Sequence, residues 1–266
     1  MRSTAVRRTA LAASAAALAL LVTACGGSSD DGSSDGGGKA GDGKAGDKNA
    51  SATPAAAKAL TAAELEKAAL AQTDVKNGKV TEAAATDDIA QDKVKAQKAE
   101  CQPLAFAQTG VAAGKPAATV KRSWTEGPKK PAGGDVSEEA LDSAFDLDKA
   151  LVTLASYDGG GAETALKDVK AAVGTCAGGF AYTAAGRPVK IAKVAEDKAP
   201  GGADEAVALT MTLTGDEGDE FPVKVTVTRK GSTVASFTVL NLAAAADGKD
   251  FPFPTEISDA QLAKLG

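Results

Sequence analysis

Between Ala206 and Leu242 the chain repeats one pattern three times, with apolar and polar residues in alternation. Val207, Leu209, Met211 and Leu213 alternate with Thr210, Thr212 and Thr214; Phe221, Val223, Val225 and Val227 repeat the pattern; Thr233–Leu242 follows across Lys230-Gly231. A period of two puts successive side chains on opposite faces of an extended strand. Lys230-Gly231 suits a tight hairpin. The sequence therefore predicts an antiparallel β-meander with one face on a core and the other in water. An apolar sheet face must be covered, and helices are the available cover, so the fold class is α+β with two or more helices on one face.

The cover comes from earlier in the chain. Thr61-Ala62-Ala63-Glu64 is a capping box, and Leu60, Leu65, Ala69 and Leu70 give the helix it opens an apolar stripe through Ala71. Residues 75–99 are polar and weakly periodic, with a short strand expected near Lys79–Ala83 and loop beyond it. Pro103 belongs early in a short helix ending near Gly110. Strands are expected at Ala118–Thr125, with Val120, Arg122 and Trp124 on one face, and at Leu147–Tyr157. Between them lie a Pro/Gly loop at Gly127–Gly134 and a helical turn or edge segment at Ser137–Phe145. Asp158-Gly159-Gly160-Gly161 breaks the chain before a helix at Ala162–Val173, whose Leu166, Val169 and Val173 share a face. A short strand at Lys190–Val194, an extended Asp247–Pro254 and a last helical turn at Asp259–Leu265 complete the expectation.

The first 56 residues follow other rules. Met1–Arg8 is basic, Thr9–Val22 is an apolar run of about fourteen residues, and Leu21-Val22-Thr23-Ala24-Cys25 closes it. The run is too short to span a bilayer comfortably and has the flanks of a secretory signal. With a small residue ahead of the cysteine, the stretch resembles the lipobox of bacterial type II signals. That resemblance implies cleavage after residue 24, lipidation of Cys25, and anchoring on the outer face of the cell membrane. Gly26–Pro54 is built from Gly, Ser, Asp, Lys and Ala without a large apolar residue, so it cannot offset its chain entropy by burial and is expected to be a disordered tether. As a flexible coil its reach is roughly 30 Å, with an extended limit of about 100 Å. The expected organisation is a signal peptide at 1–24, a lipidated tether at 25–56 and a single α+β extracytoplasmic domain at 57–266.

Charge and composition exclude several function classes. The sequence has 30 basic and 35 acidic residues, and residues 1–24 carry three arginines and no acid, so the net charge falls from −5 to −8 when they are removed. An acidic chain with no basic run of five is a poor fit to nucleic acid. Histidine is absent, which removes Ser-His-Asp and Cys-His mechanisms, the usual zinc ligand and the physiological pH switch. Outside the Gly/Ser/Asp tether no serine sits in Gly-x-Ser-x-Gly, and none lies three residues ahead of a lysine. The expectation is a non-enzyme with no cofactor and no metal.

Once Cys25 is set aside, Cys101 and Cys176 remain. In an exported protein the pair is expected to form a disulfide joining the ends of two helices, worth roughly 4–5 kcal/mol in the chain-entropy picture. The redox-active alternative lacks a Cys-x-x-Cys. Three polar features bear on possible sites. Gly159–Gly161 lacks the spacing and lysine of a phosphate loop and suits a strand-to-helix connection. Asp216-Glu217-Gly218-Asp219-Glu220 lacks calcium-loop order and suits a solvated hairpin tip. Asp146 and Asp148 form a carboxylate pair without further support for acid–base work. The aromatic residues Trp124, Tyr157 and Tyr182 are the candidates for ligand contact.

The lipobox, the tether, Leu60-Thr61-Ala62-Ala63-Glu64-Leu65, Cys101-Gln102-Pro103-Leu104, Ser156-Tyr157-Asp158, Cys176-Ala177-Gly178-Gly179-Phe180 and the meander with Arg229-Lys230-Gly231 together resemble actinobacterial cell-envelope lipoproteins. The order of helix, cysteine, strands, second cysteine and antiparallel strands is similar to the extracellular sensor-like domain of mycobacterial Ser/Thr kinases, over roughly residues 57–242. The resemblance implies an α+β domain with a cleft for a ligand. Those domains use two disulfides and this chain can form one, so no binding residue is carried over. The expected function is a membrane-anchored lipoprotein with a non-catalytic ligand-binding or sensing domain. The alternative is an accessory lipoprotein that acts by contact with another envelope protein.

Overall fold

The computed structural model describes residues 58–127 and 145–266. The signal segment, Cys25, the tether and most of the expected Gly127–Gly134 loop and Ser137–Phe145 turn lie outside them. Among the described residues nine strands form one fully antiparallel sheet: β1 (Lys79–Glu82), β2 (Val94–Ala96), β3 (Ala118–Thr125), β4 (Asp148–Ser156), β5 (Phe180–Ala184), β6 (Arg187–Asp197), β7 (Glu205–Thr214), β8 (Glu220–Lys230) and β9 (Thr233–Asn241). Their spatial order is β1-β3-β4-β9-β8-β7-β6-β5-β2. Among the described residues five α-helices accompany them: α1 (Ala62–Ala68), α2 (Gln102–Gln108), α3 (Gly161–Cys176), α4 (Leu242–Asp247) and α5 (Thr255–Ala263). The α+β class, the antiparallel meander and the Cys101–Cys176 disulfide are all present.

The meander differs from the sequence expectation in one physical respect. Register places Val225 beside Leu209 and Thr238, and Thr226 beside Phe237. The apolar sets of β7 and β8 therefore point to one face, while Phe237 and Val239 of β9 point to the other with Val152 of β4. Neighbouring strands are amphipathic in opposite senses, so both faces need cover. Helices α2 and α3 close the first face over Leu104, Leu166, Val169, Met211 and Val225. The second face holds Leu65 of α1, Leu70, Trp124, Val152, Phe237 and Ile257 of α5. Water reaches part of that face at Thr210, Thr212 and Thr214 of β7, whereas Lys224, Thr226 and Thr228 of β8 are buried.

Local signals account for most elements. The α1 capping box is formed: the Glu64 amide donates to Thr61 Oγ1 (3.3 Å) and the Thr61 amide to Glu64 Oε2 (2.8 Å). Pro103 occupies the first turn of α2, where its missing N–H leaves no bond unmade. Strand β6 is longer than the expected Lys190–Val194, because it is the inner partner of a hairpin with β5 that the sequence does not announce. The turn is Ala185-Gly186, both at positive φ (48° and 81°), in place of an Asn-Gly signal. Strand β2 lies in the stretch expected as loop, and α4 follows β9 where the Asn241 side chain caps it by accepting from the Ala244 amide (2.9 Å). The outer strand β1 is partly blocked by Gln72, whose Oε1 accepts from the Val80 amide (2.9 Å) and whose Nε2 donates to the Gly78 carbonyl (3.1 Å).

Candidate ligand-binding cavity

On the first face, between the sheet and its two helices, the core is incomplete. The floor is set by register. Thr153, Ser236 and Val227 form one row across β4, β9 and β8, and Ala155 and Val234 form the next. Tyr157 continues the line just past β4. Thr, Ser, Ala and Val are short for a strand–helix interface, and the facing helices answer with Ala107 of α2 and Ala165 of α3. Small residues on both sides leave a narrow apolar slot with a cavity volume of about 20 Å³, room for about one water. No side chain lining it carries a charge at neutral pH.

The slot's third wall is the segment Val111–Ala113, which leaves α2 and is fastened on several sides. The Val111 amide donates to the Phe106 carbonyl (2.9 Å), Tyr157 Oη donates to the Ala113 carbonyl (2.8 Å), and Gln91 Nε2 donates to the carbonyls of Ala112 (2.7 Å) and Gly114 (3.0 Å). Below it, Thr153 Oγ1 donates to the Gly110 carbonyl (2.9 Å) and Thr238 Oγ1 to the Ala107 carbonyl (2.9 Å). Ser236 lines the slot at 8% exposure, and its hydroxyl is not among the buried side-chain atoms left unpaired, which among the described residues are Thr214 Oγ1 and Arg229 Nε.

The disulfide frames the same space. Cys101 directly precedes α2 and Cys176 ends α3, with Cα atoms 6.0 Å apart. The two helices that roof the slot are therefore covalently tied at one end.

The three aromatic candidates do not converge. Tyr157 lines the slot, and burial pushes its phenol well above its ordinary pKa, so it stays a neutral donor. Tyr182 faces the same layer but sits away from the slot, stacked on Phe180 (5.9 Å between ring centroids) and bonded through its hydroxyl to Gln108 Oε1. Its phenol is raised by burial as well. Trp124 lies on the opposite face of the sheet, where Nε1 donates to the Asn77 carbonyl (3.0 Å). Residues that do shape the slot, notably Ser236, Ala155, Ala165 and Val111–Ala113, are not among the aromatic candidates. Their signal in the sequence is small size where a core position would ordinarily be large.

The polar features have structural settings. Gly159 and Gly160 turn the chain at positive φ into α3, and a Cβ on Gly161 would meet Tyr157 Cβ at 2.9 Å. Asp216–Glu220 is an exposed hairpin tip closed by the Gly215 amide on the Asp219 carbonyl (2.8 Å). Asn241 Nδ2 bridges Asp146 and Asp148, donating to each at 2.8 Å. Among the described residues, no group of three or more acidic or cysteine side chains is placed to hold a metal ion.

The chain comes into the domain beside the slot. Ser232 Oγ donates to the Lys58 carbonyl (3.0 Å), the Ala59 amide donates to Asp158 Oδ1 (3.0 Å) and the Leu60 amide to Ser156 Oγ (2.8 Å). Those partners flank Tyr157 on the chain or across the β4–β9 pairing.

No known protein family matches the chain, and no curated protein does. Among solved structures the chain is similar to the extracellular domain of PknH from Mycobacterium tuberculosis, with 14% identity and a TM-score of 0.45 over 78% of this chain and 95% of that one.

Proposed function

We propose that this chain is an extracytoplasmic lipoprotein, anchored through Cys25, whose α+β domain binds an apolar ligand without catalysis. The observation that carries the reading is the slot itself, an uncharged hollow roofed by two helices that a disulfide ties together. Concave, mostly apolar hollows with one or two placed polar groups are the ordinary form of small-molecule sites. The disulfide suits an oxidising compartment. No helix among the described residues is long and apolar enough to cross a membrane, and in this reading attachment falls to the lipid on Cys25. The competing reading, contact with another envelope protein, calls for an exposed apolar patch. Among the described residues one large apolar side chain is strongly exposed, Phe145.

Two measurements test the proposal. Cys25→Ala should move the protein from the membrane fraction to the soluble one; retention of the mature variant in membranes defeats the anchor. For binding, thermal unfolding of the full chain carrying Cys25→Ala should shift upward with an apolar probe. A flat response across apolar probes defeats the ligand reading.

A further inference from the structure

Beyond the slot, and independently of what it binds, we infer that the open half of β3 is a docking edge for a basic, extended peptide segment of another protein, added antiparallel to β3 in the line that β1 leaves. Strand β3 has eight residues, and β1 pairs with its last four, Arg122–Thr125. The other half, Ala118–Lys121, has β4 on one side and, among the described residues, no strand on the other. Bonds nearby fix its phase. The Val80 amide turns away from β3 to Gln72, and the Glu126 amide donates to the Asp148 carbonyl of β4 (2.8 Å). Even-numbered residues of β3 therefore bond toward β4, and Thr119 and Lys121 present their backbone groups to the open edge. The Lys121 carbonyl accepts from Arg122 Nη1 (3.0 Å). The Thr119 amide and carbonyl and the Lys121 amide have no partner among the described residues.

The sheet's outer strands are treated differently. Gln72 covers Val80 and Gly78 on β1. On β2, Gln102 accepts from the Ala96 amide at Oε1 (2.9 Å) and donates from Nε2 to the Val94 carbonyl (3.0 Å). A side-chain amide so placed occupies the hydrogen-bonding groups that a further strand would use. The β3 edge instead opens onto two adjoining hollows of about 250 Å³ and 430 Å³, which share Asp88, Thr119 and Lys121. On the sheet's first face Ile89, Val111 and Pro116 give the first hollow apolar walls. On the second face Glu66 and Glu82 line the other.

The charges select the occupant. The Lys121 side chain is 10% exposed and that of its partner Asp88 is 76% exposed. Arg122 and its partner Glu66 repeat the asymmetry, and Glu82 is exposed beside them. An incoming chain therefore meets three carboxylates at the rim, with both cations sunk and already paired, which suits lysine or arginine. Side chains alternate along a strand, so the fitting segment carries apolar residues toward Ile89 and Val111 and basic ones toward Glu66 and Glu82. This is the strand-addition mode of peptide recognition.

The test is fluorescence anisotropy of the labelled peptide Lys-Val-Lys-Val-Lys-Val-Lys with the full chain carrying Cys25→Ala. Saturable binding of one peptide per chain is expected, weakened by added salt. In antiparallel pairing the valines share a face with Thr119 and Lys121, and their amides bond to β3. N-methylation of the valine amides should abolish binding, whereas N-methylation of the lysine amides should leave it. Thr119→Pro removes an outward amide and no bond of the sheet, so the variant should keep its urea midpoint and lose the peptide. Glu82→Lys, at an exposed position, should weaken binding roughly fivefold. Absence of saturable binding, equal binding of the valine-methylated peptide, or full binding by folded Thr119→Pro overturns the inference. If Thr119→Pro does not fold, the methylated peptides decide the matter on the parent chain. Equal binding of Glu-Val-Glu-Val-Glu-Val-Glu overturns the choice of a basic partner. A dimer that Thr119→Pro dissolves, with no peptide bound, assigns the edge to a second copy of the chain and overturns the inference as well.

Discussion

Cys101 and Cys176, 75 residues apart in the chain, are bonded to each other at the ends of the two helices that roof an apolar slot. The bond constrains the unfolded chain and also fixes how α2 and α3 sit over the sheet. Reduction should lower the free energy of unfolding by up to about 4–5 kcal/mol. Urea unfolding with and without reductant measures it, with Cys101→Ser/Cys176→Ser as the permanent equivalent. If the slot depends on this tie, an apolar probe that stabilises the oxidised protein should stabilise the reduced one less. Equal stabilisation of both forms shows that packing alone shapes the roof.

Gln261 of α5 plays the corresponding role on the opposite face without a covalent bond. The fully buried side chain accepts from the Leu70 amide at Oε1 (2.8 Å) and donates from Nε2 to the Ala68 carbonyl (2.7 Å), satisfying backbone at the end of α1 and just past it. Gln261→Leu keeps the volume and removes both partners, leaving a buried donor and acceptor unmet, with an expected loss of about 2–4 kcal/mol. A change in urea midpoint below what ~0.5 kcal/mol produces would falsify the assignment of these bonds as the lock between the C-terminal helix and α1.

How far the sequence discloses this molecule depends on whether the deciding information is local. The capping box of Thr61 and Glu64, Pro103 in α2, and the alternation in β3 and β7 through β9 are local, and each element stands where its pattern places it. The opposite phasing of β8 and β9 is not local. Either strand read alone is an ordinary half-buried strand, and only the register of Val225 with Thr238 shows that their apolar sides diverge. The same ambiguity hides the slot. Val234, Ser236 and Thr238 read as the more polar side of β9, yet that side faces α2 and α3. Aromatic content is a weak guide for the same reason: of Trp124, Tyr157 and Tyr182, chain pairing brings only Tyr157 to the slot. The β5–β6 hairpin escapes notice because Ala185 adopts a left-handed conformation that sequence preference assigns to Asn or Gly.

The Asp74–Lys264 contact gives the domain an acid-sensitive tie. Burial alone would raise the Asp74 carboxyl, but the Lys264 ammonium (2.6 Å) and the Ala71 amide (2.7 Å) outweigh it and hold the group below its usual 3.8. A carboxyl depressed by folding contributes stability that is fully present above 3.8 and is lost as pH falls through the lower, folded value. Asp74→Asn should therefore be less stable than the parent at pH 6, with the gap closing below pH ~3. Glu205, held down by Lys170 and Arg229, keeps its own acid dependence in both proteins. A gap of constant size from pH 6 to pH 2.5, measured by urea unfolding, rules out the carboxylate's charge as its source.

Lys224 is the charged side chain most deeply placed in the sheet's second face. Its side chain is 7% exposed, and its ammonium meets Asp250 at 2.7 Å, Asp197 at 3.2 Å and Thr210 Oγ1 at 2.6 Å, with the Phe251 ring centroid 5.8 Å away. The carboxylates are far more exposed, at 73% for Asp250 and 36% for Asp197. That asymmetry decides which substitution hurts. Removing the cation leaves two carboxylates that water can still reach, so Lys224→Met, which keeps most of the buried stem, should change stability by about 1 kcal/mol or less. Removing the anions strands a buried ammonium, so Asp197→Asn/Asp250→Asn should lose about 3 kcal/mol. Asp250→Asn alone should be nearly neutral, because Asp197 still faces the ammonium. The order of urea midpoints among the three variants is the readout, and a Lys224→Met loss equal to that of the double variant means the contact's value lies in the pair and not in sheltering one buried charge.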